Sequence, residues 1–312
     1  MDKKRILIID LMHESIVPLL EALGFEVDYK PRITKKEVLA GIKAYTGLIV
    51  RSKMAVDAAL LANAPQLKFV ARAGAGIDQL DVNELEKRQI AIINAPEGNR
   101  DALGEHALGM LLCLANNINV GDLMVRQRVW DREGHRGFEI KGKTVALIGY
   151  GQMGSAFAEK LSGLSCDVIA YDKYKKGFSS NYAREVSMDE IFDSADILSL
   201  HIPLTEETRD MVDAAYFSKF RKPIVVLNTS RGEILSLNGL LDMIEAKRIK
   251  SAALDVLENE KLHLMTKAQK EVFERLILFD KVLLTPHVGG WTFESYERIN
   301  HVLVEKIARL TL

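Results

Sequence analysis

Residues 145–154 read VALIGYGQMG, and an acid, Asp172, ends the next apolar run. Four apolar residues enter the glycine turn. A helical pattern through Ala156, Leu161 and Leu164 leaves it, and a second apolar strand over 168–171 follows. Strand, glycine turn, helix, strand and acid in this order are what a dinucleotide-binding unit requires. Gly149 permits the tight turn. Gly151 has no side chain to block a pyrophosphate, and Gly154 lets the helix lie close to the strand. The helix start, at Gln152 and Met153, offers N–H groups and a positive dipole end to phosphates. Asp172 can accept hydrogen bonds from both adenosine ribose hydroxyls, and its charge repels a 2′-phosphate. The expected cofactor is therefore NAD, not NADP. A GxGxxG alone also serves plain helix–sheet packing, so the surrounding strand, helix and acid carry the reading.

At 312 residues the chain suits two domains of ordinary size. Hydrophobic residues, at 48%, suffice for two cores. The formal net charge of -1 leaves no basic excess to attract nucleic acid or an acidic membrane surface. Cys113 and Cys166 both stand in apolar stretches and are expected as buried free thiols, with no disulfide and no metal site. The opening Met1-Asp2-Lys3-Lys4-Arg5 runs into a short apolar strand broken by Asp10, unlike a secretion signal. No apolar stretch approaches a membrane span. The expected setting is cytoplasmic.

The first hundred residues alternate strand and helix. Apolar strands read at 6–9, 25–29, 48–50, 69–71 and 90–93, with helical patterns such as 34–42 and 81–88 between them. Such alternation builds a parallel sheet covered by helices. A longer helix is expected from Arg100 to about Ile118, then an arm over 126–143 bearing Trp130 and Phe138. After the glycine turn the alternation resumes, with strands at 197–200, 224–228, 251–255 and 282–285 and a polar loop over 177–184. A final helical pattern, 293–310, comes too late for the second sheet and is expected to return to the first domain. The fold class is α/β, with two doubly wound parallel-sheet domains. The expected division is 1–100 completed by 289–312, and 101–288.

Ligands of open parallel sheets bind beyond the carboxyl ends of the strands. In the second domain those positions hold HIPLT from His201, NTSRG from Asn228, DVLENE from Asp255 and TPHVGG from Thr285. An arginine, acids and a histidine on one rim suit carbonyl reduction beside a nicotinamide. Arginine holds a carboxylate through a two-pronged charged hydrogen bond. Histidine exchanges protons near neutrality, and a neighbouring carboxylate orients it and favours its protonated form. Taken singly, such an arginine is usually a surface ion pair and such a histidine usually structural.

With these blocks in order, the chain resembles the NAD-dependent D-isomer-specific 2-hydroxyacid dehydrogenases over nearly its whole length. NAPEGNRDALGEHALGMLL, GYGQMG with Asp172, HIPLTEET, LNTSRGEIL, AALDVLENE and TPHVGGWT each match a segment of that family. The resemblance implies a flavodoxin-like substrate domain and a Rossmann NAD-binding domain with the active site in the cleft. It implies Arg231, Glu260 and His287 as catalytic residues. Arg231 binds the substrate carboxylate and carbonyl oxygen, His287 acts as acid or base, and Glu260 holds His287. It further implies cofactor contacts at Gly149, Gly151, Gln152, Met153, Gly154, Asp172, His201, Pro203, Thr208, Thr229, Asp255 and Gly290. The loop Ala73-Gly74-Ala75-Gly76 resembles the segment whose N–H groups grip the substrate carboxylate. The family often has proline after its glutamate, where Lys261 stands here, and Glu258 is the rival to the preferred Glu260.

Val50-Arg51-Ser52-Lys53 and Val70-Ala71-Arg72-Ala73-Gly74 resemble motifs of phosphoglycerate dehydrogenases. Arg51, Ser52 and Arg72 are therefore expected to meet a substrate phosphate, which makes 3-phosphoglycerate and phosphohydroxypyruvate the expected pair. Pairing of both arginines with local acids is the bland alternative. Trp291 and Phe293 could instead shape an apolar pocket, and a glyoxylate or hydroxypyruvate reductase is the runner-up. No regulatory domain is expected after the final helix. A non-catalytic NAD-sensing protein is the reading from another class, and the retained arginine, glutamate and histidine weigh against it. The resemblance also implies a homodimer built on about 101–138, with Trp130 and Phe138 as anchors.

Overall fold

Runs of branched apolar residues pair into two all-parallel sheets in this computed structural model, which describes residues 4–311. The opening Met1-Asp2-Lys3 lies outside them. The chain divides into two units, Met1–Arg100 with Trp291–Leu312, and Asp101–Gly290. The boundary thus follows Gly290, two residues beyond the position expected from the sequence.

The first unit holds β1 (Arg5–Ile8), β2 (Glu26–Tyr29), β3 (Gly47–Val50), β4 (Phe69–Arg72) and β5 (Ala91–Asn94), in the order β2-β1-β3-β4-β5. That is a flavodoxin-like order. Its central strands β1, β3 and β4 are buried on both faces, whereas the edge strand β2 is not. Leu7 and Ile9 enter one core cluster, and Ile6 and Ile8 enter the other. Period-two alternation thus feeds two apolar layers, which is why these strands read as continuous apolar runs. Helix Phe293–Ala308 supplies Ile299, Leu303 and Ile307 to the Ile6–Ile8 layer. Each fully buried side chain of this size contributes about 2 kcal/mol. A capping box between Thr292 and Ser295 starts this helix.

The second unit holds β6 (Thr144–Ile148), β7 (Asp167–Tyr171), β8 (Arg184–Glu185), β9 (Ile197–Leu200), β10 (Ile224–Asn228), β11 (Ile249–Leu254) and β12 (Val282–Leu284). Their order, β12-β11-β10-β9-β6-β7-β8, reverses direction between β6 and β9. This is the dinucleotide-binding order, with its crevice at that switch point. Ala146 and Ile148 face one core layer, and Val145 and Leu147 the other.

Several boundaries depart from the sequence reading. The long helix runs Pro96–Ala115 and a second, Ile118–Arg126, follows it. The break is at Asn117, whose φ is +51° and whose amide nitrogen donates to the carbonyls of His135 and Arg136. After Lys261 the chain forms a short 3-10 turn, Leu262–Leu264, and then helix Lys267–Leu276. Thr266 and Gln269 form the capping box that sets the second start. The loop expected over 177–184 ends in β8, a two-residue edge strand against β7. Cys113 and Cys166 are free, but both are half-buried rather than buried. Among the described residues, no single helix is long and apolar enough to cross a membrane.

Candidate active site

In the second unit, three neighbouring strands end level. The register pairs Asn228 of β10 with Leu254 of β11, and Leu254 with Leu284 of β12. Arg231 follows the first strand, Asp255 and Glu260 the second, and His287 the third.

His287 Nδ1 lies 2.7 Å from Glu260 Oε1, and the two side chains are 43% and 46% exposed. A carboxylate at Nδ1 holds a proton on that nitrogen and leaves Nε2 to exchange one. Glu258 lies elsewhere. Its Oε1 accepts the Leu237 N–H at 2.7 Å, at the start of helix Leu237–Glu245, and burial pushes its carboxyl pKa up.

The backbone at His287 has φ +53°, a left-handed conformation that costs a non-glycine residue about 1 kcal/mol or more. Its N–H donates to Asp255 O at 2.8 Å and to Thr285 O at 3.0 Å. The Asp255 carboxylate then accepts the next two N–H groups, Val288 at 3.0 Å and Gly289 at 2.7 Å. A Cβ on Gly289 would come within 2.7 Å of Asp255 Oδ2, so the clamp requires glycine there. One buried carboxylate thus shapes the turn that carries His287.

Asp255 is 1% exposed. Burial opposes its charge, but bonds from His106, Thr285, Gly289 and Val288 prevail and hold its pKa below the ordinary value. Thr285 Oγ1 donates to Asp255 Oδ1 at 2.6 Å, and His106 Nε2 lies 3.3 Å from the same oxygen. Sequence reasoning gave His106 no role. No local pattern marks it: the fold alone brings His106 and Met110, one helical turn apart, to Thr285 Oγ1.

Arg231 has extended backbone, and its Nη1 donates to Ser230 O at 2.7 Å. Its own carbonyl accepts from Asn228 Nδ2 at 2.9 Å. A Cβ on the following Gly232 would fall 1.9 Å from the Leu257 carbonyl carbon. The arginine loop can therefore lie against the segment after β11 only with glycine at that position.

The glycine turn separates packing from access. Gly149 has φ +94°, and a Cβ there would lie 2.5 Å from His201 O. A Cβ on Gly154 would lie 2.2 Å from Gly149 O, whereas one on Gly151 meets nothing within 4 Å. The middle glycine alone faces open space, as close approach of a ligand requires. Helix Gln152–Leu161, which includes Met153, starts without a side-chain cap, a start that favours an anion.

Asp172 Oδ2 accepts the Tyr150 N–H at 2.9 Å, and Oδ1 accepts those of Tyr174 and Lys175 at 3.0 Å each. Burial opposes its charge, but these bonds and Lys175 keep its pKa below the ordinary value. Three of about four acceptor positions on the carboxylate are used. Acceptor capacity therefore remains on the carboxylate for a ligand hydroxyl.

His201 Nε2 lies 2.9 Å from Ser199 Oγ, and its ring centroid is 5.6 Å from that of Phe157. Burial pushes its pKa down to about 4, so it is neutral at physiological pH. Thr208 Oγ1 donates to Pro203 O at 2.7 Å and accepts the Thr205 N–H at 2.8 Å, closing the turn after β9. Thr229 Oγ1 is buried and has no hydrogen-bond partner among the described residues. Such a hydroxyl fits a ligand that supplies the missing bond. Gly290 has φ +86°. Together, the open Gly151, the uncapped helix, the charged Asp172 and the orphan Thr229 hydroxyl fit NAD.

The first unit carries the expected substrate residues. Asp10 holds the loop after β3, accepting the N–H groups of Arg51 at 2.8 Å, Ser52 at 3.4 Å and Lys53 at 3.1 Å. After β4, a Cβ on Gly74 would lie 1.8 Å from Arg72 Nη1, so the guanidinium lies across that glycine. The sequence reading offers the N–H groups of the Ala73–Gly76 loop to a carboxylate. The fold itself uses two of them, Ala73 to Val50 O and Gly74 to Arg72 O. The N–H groups of Ala75 and Gly76 have no such internal partner among the described residues.

A strand order built for dinucleotides adjoins a rim that carries an acid–histidine pair, which defines a dinucleotide-binding domain with a titratable pair at its rim. Residues 108–289 match the family model described as D-isomer specific 2-hydroxyacid dehydrogenase, NAD binding domain. The chain belongs to this family. It is 34% identical to the D-3-phosphoglycerate dehydrogenase of Mycobacterium leprae, covering 100% of this chain and 57% of that one. It is 31% identical to the hydroxypyruvate reductase of Thermotoga maritima, covering 88% of each. The chain thus spans little more than half the length of the phosphoglycerate dehydrogenases it matches. A glyoxylate reductase structure from Paecilomyes thermophila shares the fold, with a TM-score of 0.87 at 21% identity over 98% of this chain and 95% of that one.

Proposed function

We propose that the chain moves a hydride between NAD and C2 of a 2-hydroxy or 2-keto acid, with 3-phosphoglycerate and phosphohydroxypyruvate as the physiological pair. The observation that carries this reading is the 2.7 Å His287–Glu260 pair on a turn clamped by Asp255. Bound NAD supplies the hydride donor or acceptor. In reduction, the carbonyl carbon gains the hydride and its oxygen gains one proton. His287 gives that proton from Nε2, while Glu260 keeps the ring oriented through Nδ1. Arg231 binds the substrate carboxylate and draws electron density toward the carbonyl oxygen. In oxidation, His287 takes the hydroxyl proton. Asp172 and the turn from Gly149 to Gly154 hold the adenosine and pyrophosphate, and Asp255 serves the nicotinamide end.

Arg51, Ser52 and Arg72 are proposed to read the phosphate, and Ala75 and Gly76 to donate to the carboxylate. The assembly is proposed as a homodimer and the compartment as the cytoplasm. Ile118, Leu123, Val125 and Trp130 are 56%, 55%, 51% and 80% exposed, which supports an interface on this stretch. Phe138 packs against the core and leaves the anchor role to Trp130.

The test compares NADH oxidation with phosphohydroxypyruvate and with unphosphorylated hydroxypyruvate. A preference for the phosphorylated acid of about tenfold or more supports the phosphate readers. Equal or reversed rates favour the second reading, a hydroxypyruvate or glyoxylate reductase. The Thermotoga relative, which matches 88% of both chains, supports that reading.

A further inference from the structure

We propose that Trp291 is a positioning residue that holds the Arg51 guanidinium in place as a receptor for a second anionic group on the substrate, the phosphate in the reading above. The proposal rests on that reading and names the device that sets its substrate class.

Arg51 is fixed from three directions. Its N–H donates to Asp10 Oδ2 at 2.8 Å, and its carbonyl accepts from Gln79 Nε2 at 2.7 Å. Its Cζ lies 3.6 Å from the centroid of the Trp291 ring. Trp291 is itself braced edge-on by Tyr296, with centroids 5.0 Å apart and planes at 63°. Among the described residues, no carboxylate comes within ion-pair distance of the Arg51 guanidinium. Burial nonetheless pushes its pKa down, although Tyr296 and Asp10 oppose that.

A half-buried cation without a bonded anion is costly unless something else completes it. Stacking uses only the face of the guanidinium. Its N–H donors lie in the plane and stay directed outward from the stack, the fork that matches a phosphate or carboxylate. The stack also removes the rotamer freedom a long side chain would otherwise lose on binding. Trp291 and Arg51, the rival features of the sequence, are thus parts of one device.

The test measures kcat and KM for phosphohydroxypyruvate and hydroxypyruvate in the wild type, Trp291→Leu and Trp291→Phe. The expected result for leucine is a KM for the phosphorylated acid raised about tenfold, with kcat and the hydroxypyruvate KM within about twofold of wild type. Phenylalanine should restore most of the loss. Equal changes for both acids, or none for either, would overturn the proposal. Tryptophan fluorescence titrated with inorganic phosphate gives a readout independent of turnover. A saturable change is expected in the wild type and should vanish in Trp291→Phe, which reports Trp130 alone, and in Arg51→Gln. No phosphate-dependent change in the wild type would sink the receptor even if the enzyme turns over. A saturable change without turnover on any 2-keto acid would sink the dehydrogenase reading and leave the receptor standing.

Discussion

Glu260 Oε1 meets His287 Nδ1 at 2.7 Å although 27 positions separate the two residues in the chain. The meeting depends on two adjacent parallel strands ending level, and on the Asp255 clamp that bends the backbone at His287. Replacing Glu260 by glutamine keeps the shape and removes the charge. We expect kcat to fall about a hundredfold with NADH affinity unchanged. Steady-state rates and a fluorescence titration of NADH check this. An unaltered kcat would remove Glu260 from the mechanism.

Arg231 follows β10 on the same rim. Arg231→Ala should lower kcat/KM about a thousandfold, and Arg231→Lys should recover little, since a point charge does not reproduce the planar fork. NADH binding should persist in both. Full recovery by lysine would show that charge alone suffices.

Asp172 carries a negative charge held by three backbone N–H groups. Asp172→Ala should weaken NADH more than NADPH and shift the ratio of their KM values about tenfold or more. Equal losses would show that the residue only shapes the turn.

His201 bears on stability through pH. Its pKa is about 4 in the fold, against 6.5 ordinarily. Between these values the unfolded chain binds a proton that the folded chain does not. Stability should therefore fall as pH drops through that window and be unaffected by this group above it. The full loss is about 3 kcal/mol. Urea midpoints at about pH 5 and about pH 7 test this, because His201→Gln should show a smaller difference between them than the wild type. Identical differences would assign the acid sensitivity to other groups.

Much of this was legible in the sequence because its cause is local. GYGQMG needs glycine at Gly149 and Gly154 for packing and at Gly151 for access, and each demand falls on one residue. Strands buried on both faces announce themselves as apolar runs, as Ile6 to Ile9 do. The helix breaks at Asn117 and Thr266 were not legible, because polar side-chain bonds set them against a helical pattern. The loop supports were hidden by distance. Asp10 reaches Arg51 across 41 positions and Gln79 across 28. His106 reads as one more residue of a helix rich in apolar side chains until the fold brings Asp255 to it.

The proposed hydride transfer is tested by incubating the protein with NADH and a panel of 2-keto acids that includes phosphohydroxypyruvate. NADH consumed and the configuration of the 2-hydroxy acid formed are then measured together. Equimolar conversion to the D-isomer is expected, and it should be lost in His287→Asn. Tight NADH binding without turnover of any acid, or formation of the L-isomer, would contradict it.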